Sequence, residues 1–429
     1  MKKYVYIICL SATIFSCKKS HVTEVRPYDQ NYTDTTQVLL LEDKYPCMKL
    51  VTDKAVHLKV SEKKMEEHKV ITNDTALDMK IRYLPLETTE ECLVGGMINK
   101  LESDDSFLFI FDESNNQVLR FSQKDGSFLN KFGKKGRGPG EYVGIIDMSL
   151  NRKKKEVCLI DRFGFKFLYF DYDGQLLREE PLYYFFYNAE FVGDYMIQNT
   201  NFTENTMAPS INHNRLIFAK QDHTPKYVGF SFPENFGDKI GQGMKHPFIT
   251  CNEAVYYNHI LSDTIWQIKE NGTCEAKYVF KFPGRDNLFD EKDFQSFSGG
   301  VYAEKTNDVL YYKDDIIITE DFVQAGITNG AHLLYCIPTG HYRYGLTYYT
   351  SFGSPTMLPA EYTLNGKSFV RILQPFTIIR EIESTKNFYN ESEYQAFWNE
   401  QLTEEERQLL QKMTPEDNPV LMIMDIEPF

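Results

Sequence analysis

LFIFDESNNQVLRFSQKDGSFLNKFG at 108–133 and CLIDRFGFKFLYFDYDGQLLRE at 158–179 are two copies of one pattern. Each has an apolar strand ending in Asp, a polar turn, an aromatic strand, an Asp-Gly turn and a further strand. Asp112 lies 13 residues before Asp125, and Asp161 lies 12 before Asp173. The copies stand 49 residues apart, from Asp112 to Asp161. A third copy, VYYNHILSDTIWQIKENGTCEAKYVFKF at 255–282, puts Asn258 and Asn271 where the Asps stand. Asp-Gly and Asn-Gly supply the positive φ of a tight hairpin turn. Hairpins recurring every 40–50 residues match the blade of a propeller. A single blade buries neither face alone, so blades must stack around an axis.

About six such units fit between 77 and 429, which makes the expected fold class all-β, a six-bladed β-propeller. The 97 residues from Asp161 to Asn258 leave room for one blade, with strands at Tyr195–Gln198 and Leu216–Ala219. Two more follow, at Ile316–Thr319 with Leu333–Ile337 and Tyr362–Leu364 with Phe369–Leu373. Ring closure is expected to pair Lys80–Leu86 (KIRYLPL) with Val420–Ile426 (VLMIMDI). A short helical insertion near the C-terminus is marked by Ser392–Gln395 and Thr403–Glu406, both of capping-box form. Leu409, Leu410 and Met413 make a helical stripe, and Pro415 ends it. With 32 Phe and 28 Tyr, the composition agrees with pleated, half-buried surfaces.

The N-terminus reads as an address. Lys2 and Lys3 precede a mostly apolar run, Tyr4–Phe15, too short to span a bilayer. The run ends Ile14-Phe15-Ser16-Cys17. A small residue before Cys at that place has the form of a bacterial lipobox. The reading is a signal peptide over 1–16 and lipid attachment at Cys17; a plain signal peptide with an incidental Cys is the alternative. Residues 17–76 read as a polar tether carrying strands such as VHLKV at 56–60, and 77–429 as the propeller. Six Cys remain after Cys9 and Cys17, none in a CxxC pair, and Cys158 and Cys336 in apolar runs read as buried free thiols.

With FLNKFGKKGRGPGEYVGIIDMSLNRKKKEVCLIDRFGFKFLYFDYDGQLLRE at 128–179 in view, the chain resembles the six-bladed β-propeller lipoproteins of Bacteroidota. Their inter-blade phrase, FG-x-x-G-x-GPGEY, stands intact from Phe132 to Tyr142. SDTIWQIKENG at 262–272 and DNPVLMIMDI at 417–426 also fit. The family is similar to NHL-repeat propellers. The resemblance spans roughly 77–429 and implies no fixed catalytic residues.

Several constellations have a chemical and a structural reading. GKKGRGPG at 133–140 offers an anion nest, yet lacks the Lys-Ser/Thr of a phosphate loop and lies between strands. The reading is an inter-blade linker with Arg137 pointing into a polar groove. Asp112 and Asp161, equivalent in successive blades, could pair as glycosidase carboxylates; the alternative is that each accepts N–H bonds in the turn after its strand. Asn258 at the third position suits the turn. Arg137, Asp112 and Asp161 are therefore candidate binding residues, and none is assigned as catalytic. The aromatic run Tyr183–Tyr187 could stack a sugar ring or peptide side chain, or be buried between blades. The nine His show no HExxH, so no metal ligand is assigned and no cofactor is expected.

A formal charge of −14 disfavours nucleic acid as a partner. The expected function is a binding or scaffolding lipoprotein of the cell envelope, tethered to the membrane by N-terminal acyl chains, with a glycan, peptide or envelope protein as partner. The alternative is a propeller hydrolase or lyase acting on a glycan or peptide. Lys18 and Lys19 after Cys17 lean the placement toward the periplasmic side of the outer membrane rather than the surface.

Overall fold

The computed structural model describes residues 22–25, 38–61, 79–234, 236, 246–258, 262–282, 316–327, 332–345, 348–349, 355–356, 360–388, 390–401 and 403–429. Six antiparallel four-stranded blades follow one another around an axis. Blade 1 is Ile98–Asp104, Phe107–Asp112, Gln117–Ser122 and Phe128–Phe132. Blade 2 is Ile145–Asn151, Glu156–Asp161, Lys166–Asp171 and Leu176–Pro181. Blade 3 runs from Asn188 to Ser231, blade 4 from Phe248 to Lys281 and blade 5 from Ile317 to Gly345. In each, the first strand in sequence lies innermost.

Blade 6 closes the ring. Its strands are Tyr362–Leu364, Ser368–Leu373, Val420–Ile426 and, outermost, Met79–Pro85 from the beginning of the propeller. Val420 faces Pro85 and Ile426 faces Met79, the expected pairing in antiparallel register. The blade thus joins both ends of the ring through one ladder.

The repeat physics is visible at the outer turns. Gly126 has φ +72° and its would-be Cβ lies 1.9 Å from the Pro85 carbonyl oxygen, so only glycine lets blades 1 and 6 approach there. The ladders between third and fourth strands of blades 1, 2, 3 and 4 each carry one register shift, at equivalent places in blades 1 and 2. Between blades the faces are apolar on both sides. Phe109, Phe111 and Phe132 of blade 1 pack on Met148, Leu159 and Phe170 of blade 2, all buried. Each such side chain contributes about 1.5–3 kcal/mol of burial.

The described part of the segment before the propeller carries strands and is fastened to the blades. Thr23–Val25 pairs with Leu39–Leu41, and Val25, Leu39 and Leu41 are buried beside Tyr184 and Phe186. Cys47 then bridges to Val228 at the outer edge of blade 3. Lys49–Val51 and Val56–Lys59 add in parallel to Thr273–Lys281, the outermost strand of blade 4. Ser61 donates its N–H to Tyr342 Oη of blade 5 at 2.9 Å. Residues 38–61 therefore form a belt across three blades. Val56–Lys59 falls within the strand expected at 56–60, and of its four residues Leu58 alone is buried.

Three helices interrupt blade 6: α1 (Pro375–Phe388), α2 (Glu391–Gln401) and α3 (Glu404–Lys412). Thr403 caps α3 in a complete capping box with Glu406, as expected. The box of α2 is shifted: Asn390, not Ser392, accepts from Glu393 N–H, and Glu393 accepts from Asn390 N–H. Sequence reading gave no sign of α1, which opens with Pro at the first helical position. Ile378, Tyr394, Trp398 and Leu410 pack these helices onto Val420 and Met422 of the closing strand. No described helix is long and apolar enough to cross a membrane. The six described cysteines are free thiols, and all but Cys47 are buried.

Candidate functional site

The innermost strands surround a cavity of about 1050 Å³. Its wall is mixed. Blades 1 to 3 present Lys100, Glu102, Arg152 and Glu190 beside Leu101; blades 4 to 6 present Phe248, Ile249, Ile317 and Ile372 beside Thr250, Glu253 and Glu361. One end is rimmed by Asp104, Asp105 and Lys155, the other by Met97, His246 and Gln374.

Bulges aim the charged wall. The ladder of blade 1 slips between Ile98 and Lys100, and that of blade 2 slips between Ile145 and Asp147, at equivalent places. Lys100 reaches from blade 1 into a ring of acceptors. Its ammonium pairs with Glu190, with Asp147 at 3.3 Å and with Glu102 at 3.5 Å. It also donates to the Met148 carbonyl at 2.7 Å. Asp147 accepts from Met148 N–H and from Ala189 N–H of blade 3, both at 2.8 Å. Ser149 Oγ donates to Glu190 at 3.1 Å and accepts from Phe191 N–H at 3.2 Å. Arg152 pairs with Glu102 and donates to the Ser103 carbonyl at 3.1 Å. The cluster ties the inner strands of three blades together.

Three carboxylates face two cations, and burial decides who keeps a proton. Burial, then the charge of Glu102, pushes Glu190 well above the carboxylate range. Burial also raises Asp147 against the pull of Lys100. Glu102 is buried too, but Arg152 and Lys100 hold it below its ordinary value. For Lys100 burial alone would lower the pKa; Asp147, Glu190 and Glu102 raise it instead. Glu190 shares a hydrogen bond with Glu102, and with Glu190 protonated the cluster is neutral. At the acidic rim, Asp104 accepts from Tyr172 Oη at 2.5 Å and from Lys155 at 2.7 Å.

The residues singled out from sequence lie elsewhere. Asp112 is buried and accepts from Gly95 N–H (3.0 Å), Asn115 N–H (3.1 Å) and Gln117 Nε2 (3.0 Å). Asp161 is buried and accepts from Val143 (2.8 Å), Gly144 (2.9 Å) and Gly164 (2.9 Å) N–H groups. Each fastens the turn after its strand to the preceding inter-blade connection, and neither lines the cavity. Arg137 is exposed on a loop folded around Glu141, which accepts from Gly138 N–H at 2.8 Å and pairs with Lys134 at 3.2 Å. Arg137 is not among the residues of the cavity wall. Cys17 lies outside the described residues.

Lys100, Glu102, Asp147, Arg152 and Glu190 escaped sequence reading. A signal was present: INKLESD and IIDMSLN, the first strands of blades 1 and 2, carry charge inside otherwise apolar strands. A first strand faces the axis, so such charge marks the bore. Among the described residues no three His, Cys, Asp or Glu side chains are grouped to share a metal ion.

Fold and site together define a class: a six-bladed propeller with a charged-and-apolar bore. Residues 57–425 match the family described as a domain of unknown function, DUF4934, and the chain belongs to that family. A crystal structure of a presumed exported protein from Bacteroides fragilis NCTC 9343 is similar at TM-score 0.64 and 19% identity. The match covers 87% of this chain and all of that one, and shows the shared fold. A member of the DUF4221 family from Bacteroides vulgatus is more distant, at TM-score 0.40 and 9% identity over 62% of this chain and 84% of that one. No curated protein matches.

Proposed function

We propose that this chain is an acylated, exported binding propeller of the cell envelope, in the manner of NHL-like repeat propellers. Cys17 carries the lipid, and the periplasmic face of the outer membrane is its place. The bore holds its ligand, part of a glycan, a peptide or an envelope protein. The observation that carries this reading is the mixed charged and apolar wall. A cavity of this size whose wall mixes charged groups with Phe248, Ile249, Ile317 and Ile372 suits recognition of a molecule with both polar and apolar parts. The lipobox-like Ser16-Cys17 step and the fold shared with a presumed exported protein support the address.

The hydrolase or lyase alternative would rest on Glu102 and Glu190. Their arrangement disfavours it. Glycosidase carboxylates stand about 5–9.5 Å apart with the substrate between them. Glu102 and Glu190 are both held by the Lys100 ammonium, and Glu102 also by Arg152, which leaves no room for a substrate between them.

The test is a thermal-shift panel of glycans and peptides on the soluble chain lacking Cys17. A ligand at 100 times its Kd adds about 2.7 kcal/mol. A shift abolished by filling the apolar wall (Thr250→Trp, at the cavity face) supports the bore; shifts indifferent to it place binding elsewhere. Separately, Cys17→Ala should move the protein from the membrane to the soluble fraction. Unchanged membrane partitioning would remove the lipid from the proposal.

A further inference from the structure

The aromatic run Tyr183–Tyr187 resolves by alternation. Tyr184 and Phe186 are buried, Phe186 stacking on Phe167, while Tyr187 is exposed and Phe185 half-buried. The outward residues meet the turn Arg162–Phe165 of blade 2. Both segments lie on one face of the propeller, because inter-blade connections and the turns after second strands emerge on the same side.

Arg162 lies between two rings, its guanidinium carbon 5.0 Å from the Phe185 centroid and 4.8 Å from that of Tyr187. Burial would push the Tyr187 phenol up, but hydrogen bonds with Arg162 and Thr203 more than offset it. No ion pair holds Arg162 among the described residues. Beside it Phe163 is 62% exposed. Its ring is seated on Gly144, where a Cβ would stand 2.5 Å from Cδ2. An apolar plate fixed against backbone thus adjoins a cation fixed between rings and a phenol. None of these residues lines the bore.

We propose that Arg162, Phe163 and Tyr187 form a second binding site, for a carboxylate-bearing saccharide, a uronate ring stacking on Phe163 with its carboxylate on Arg162. A uronate matches the pieces: an apolar C–H face, and a carboxylate at the ring edge that the planar guanidinium can take through two N–H groups. The hydroxyls fall to Tyr187. An acidic peptide fits less well, since it would also seek backbone partners. The N–H groups of Val143, Gly144 and Gly164 beneath the site are all taken by Asp161.

The experiment is calorimetric titration of the full chain in detergent with α-1,4-tetragalacturonate and a β-mannuronate tetramer. Maltotetraose serves as the neutral control and a tetraglutamate peptide as the acidic one. At least one uronate tetramer should bind about tenfold more tightly than maltotetraose. Arg162→Gln and Phe163→Ala should each weaken that binding about tenfold, with unchanged melting temperatures as the fold control. Phe163→Tyr should retain it. Absence of uronate binding at millimolar ligand, equal affinity for maltotetraose, or indifference to Arg162→Gln would overturn the proposal. Tetraglutamate binding of equal strength with the same Arg162 dependence would overturn the saccharide assignment.

Discussion

The Lys100 ammonium of blade 1 is in ion-pair contact with the Glu190 carboxyl of blade 3, across the inner strand of the blade between them. The contact joins blades that share no ladder. It is made possible by the narrowness of the axis and by the bulge that turns Lys100 inward.

Lys100→Met should be among the most damaging changes in the chain. It leaves Glu102, Asp147 and Glu190 facing one another with only Arg152 nearby. Removing one partner of a buried ionic cluster costs about 3–5 kcal/mol. Chemical denaturation measures it; a loss below about 1 kcal/mol would mean that water already screens the cluster.

Glu190→Gln should cost little, because an amide imitates a protonated carboxyl. Its pH dependence is the sharper check. A carboxyl whose folded pKa is raised contributes stability fully below its ordinary value of 4.5 and loses it as pH rises through the folded value. Wild type should therefore lose ground to Glu190→Gln as pH climbs from 4.5 toward the folded value, and the difference should level off above it. The melting-temperature difference between the two, followed from acid to alkaline pH, reads this directly. A constant difference would mean that folding leaves the Glu190 pKa unshifted. Glu102, held low, acts in the opposite window, losing its contribution as pH falls below 4.5, and does so in both proteins.

Asp161→Ala should destabilise by about 3 kcal/mol, since three backbone N–H groups lose their acceptor in a buried place. Asp161→Asn should cost less, for Asn258 occupies the corresponding position of blade 4. Equal costs for the two substitutions, measured by denaturation, would show that the charge rather than the acceptor geometry holds the turn.

Leu421→Ala tests the ring closure. Leu421 is fully buried on the closing strand, opposite Leu84. A loss of about 2–5 kcal/mol is expected. A normal denaturation midpoint would imply that blade 6 contributes little to holding the ring.

What was legible in the sequence was local. Blades 1, 2 and 4 announce themselves because a Gly three or four residues past the third strand and an Asp or Asn at the end of the second have backbone reasons that act within a few residues. The closing strands were legible because VLMIMDI must be buried and KIRYLPL was an early strand able to partner it. Helix α1 was hidden, as its text resembles the strand preceding it. In the belt the strand at 56–60 was legible but its partner was not, because edge addition needs only a partner's free N–H and C=O groups, which leave no mark on side-chain pattern. The charged wall was half visible: Lys100 and Glu190 are charged residues in first strands, which face the axis, but nothing near either in sequence points to the other.

The belt has a mechanical consequence. A load applied at the N-terminal end of the chain enters the propeller through the outer edges of blades 3, 4 and 5, far from the ladder that closes the ring. Tension along the rim is shared by many parallel-strand hydrogen bonds at once, whereas an outward pull opens them one after another. The belt can thus give way under force while the six-bladed ring, sealed by its own two strands, stays shut.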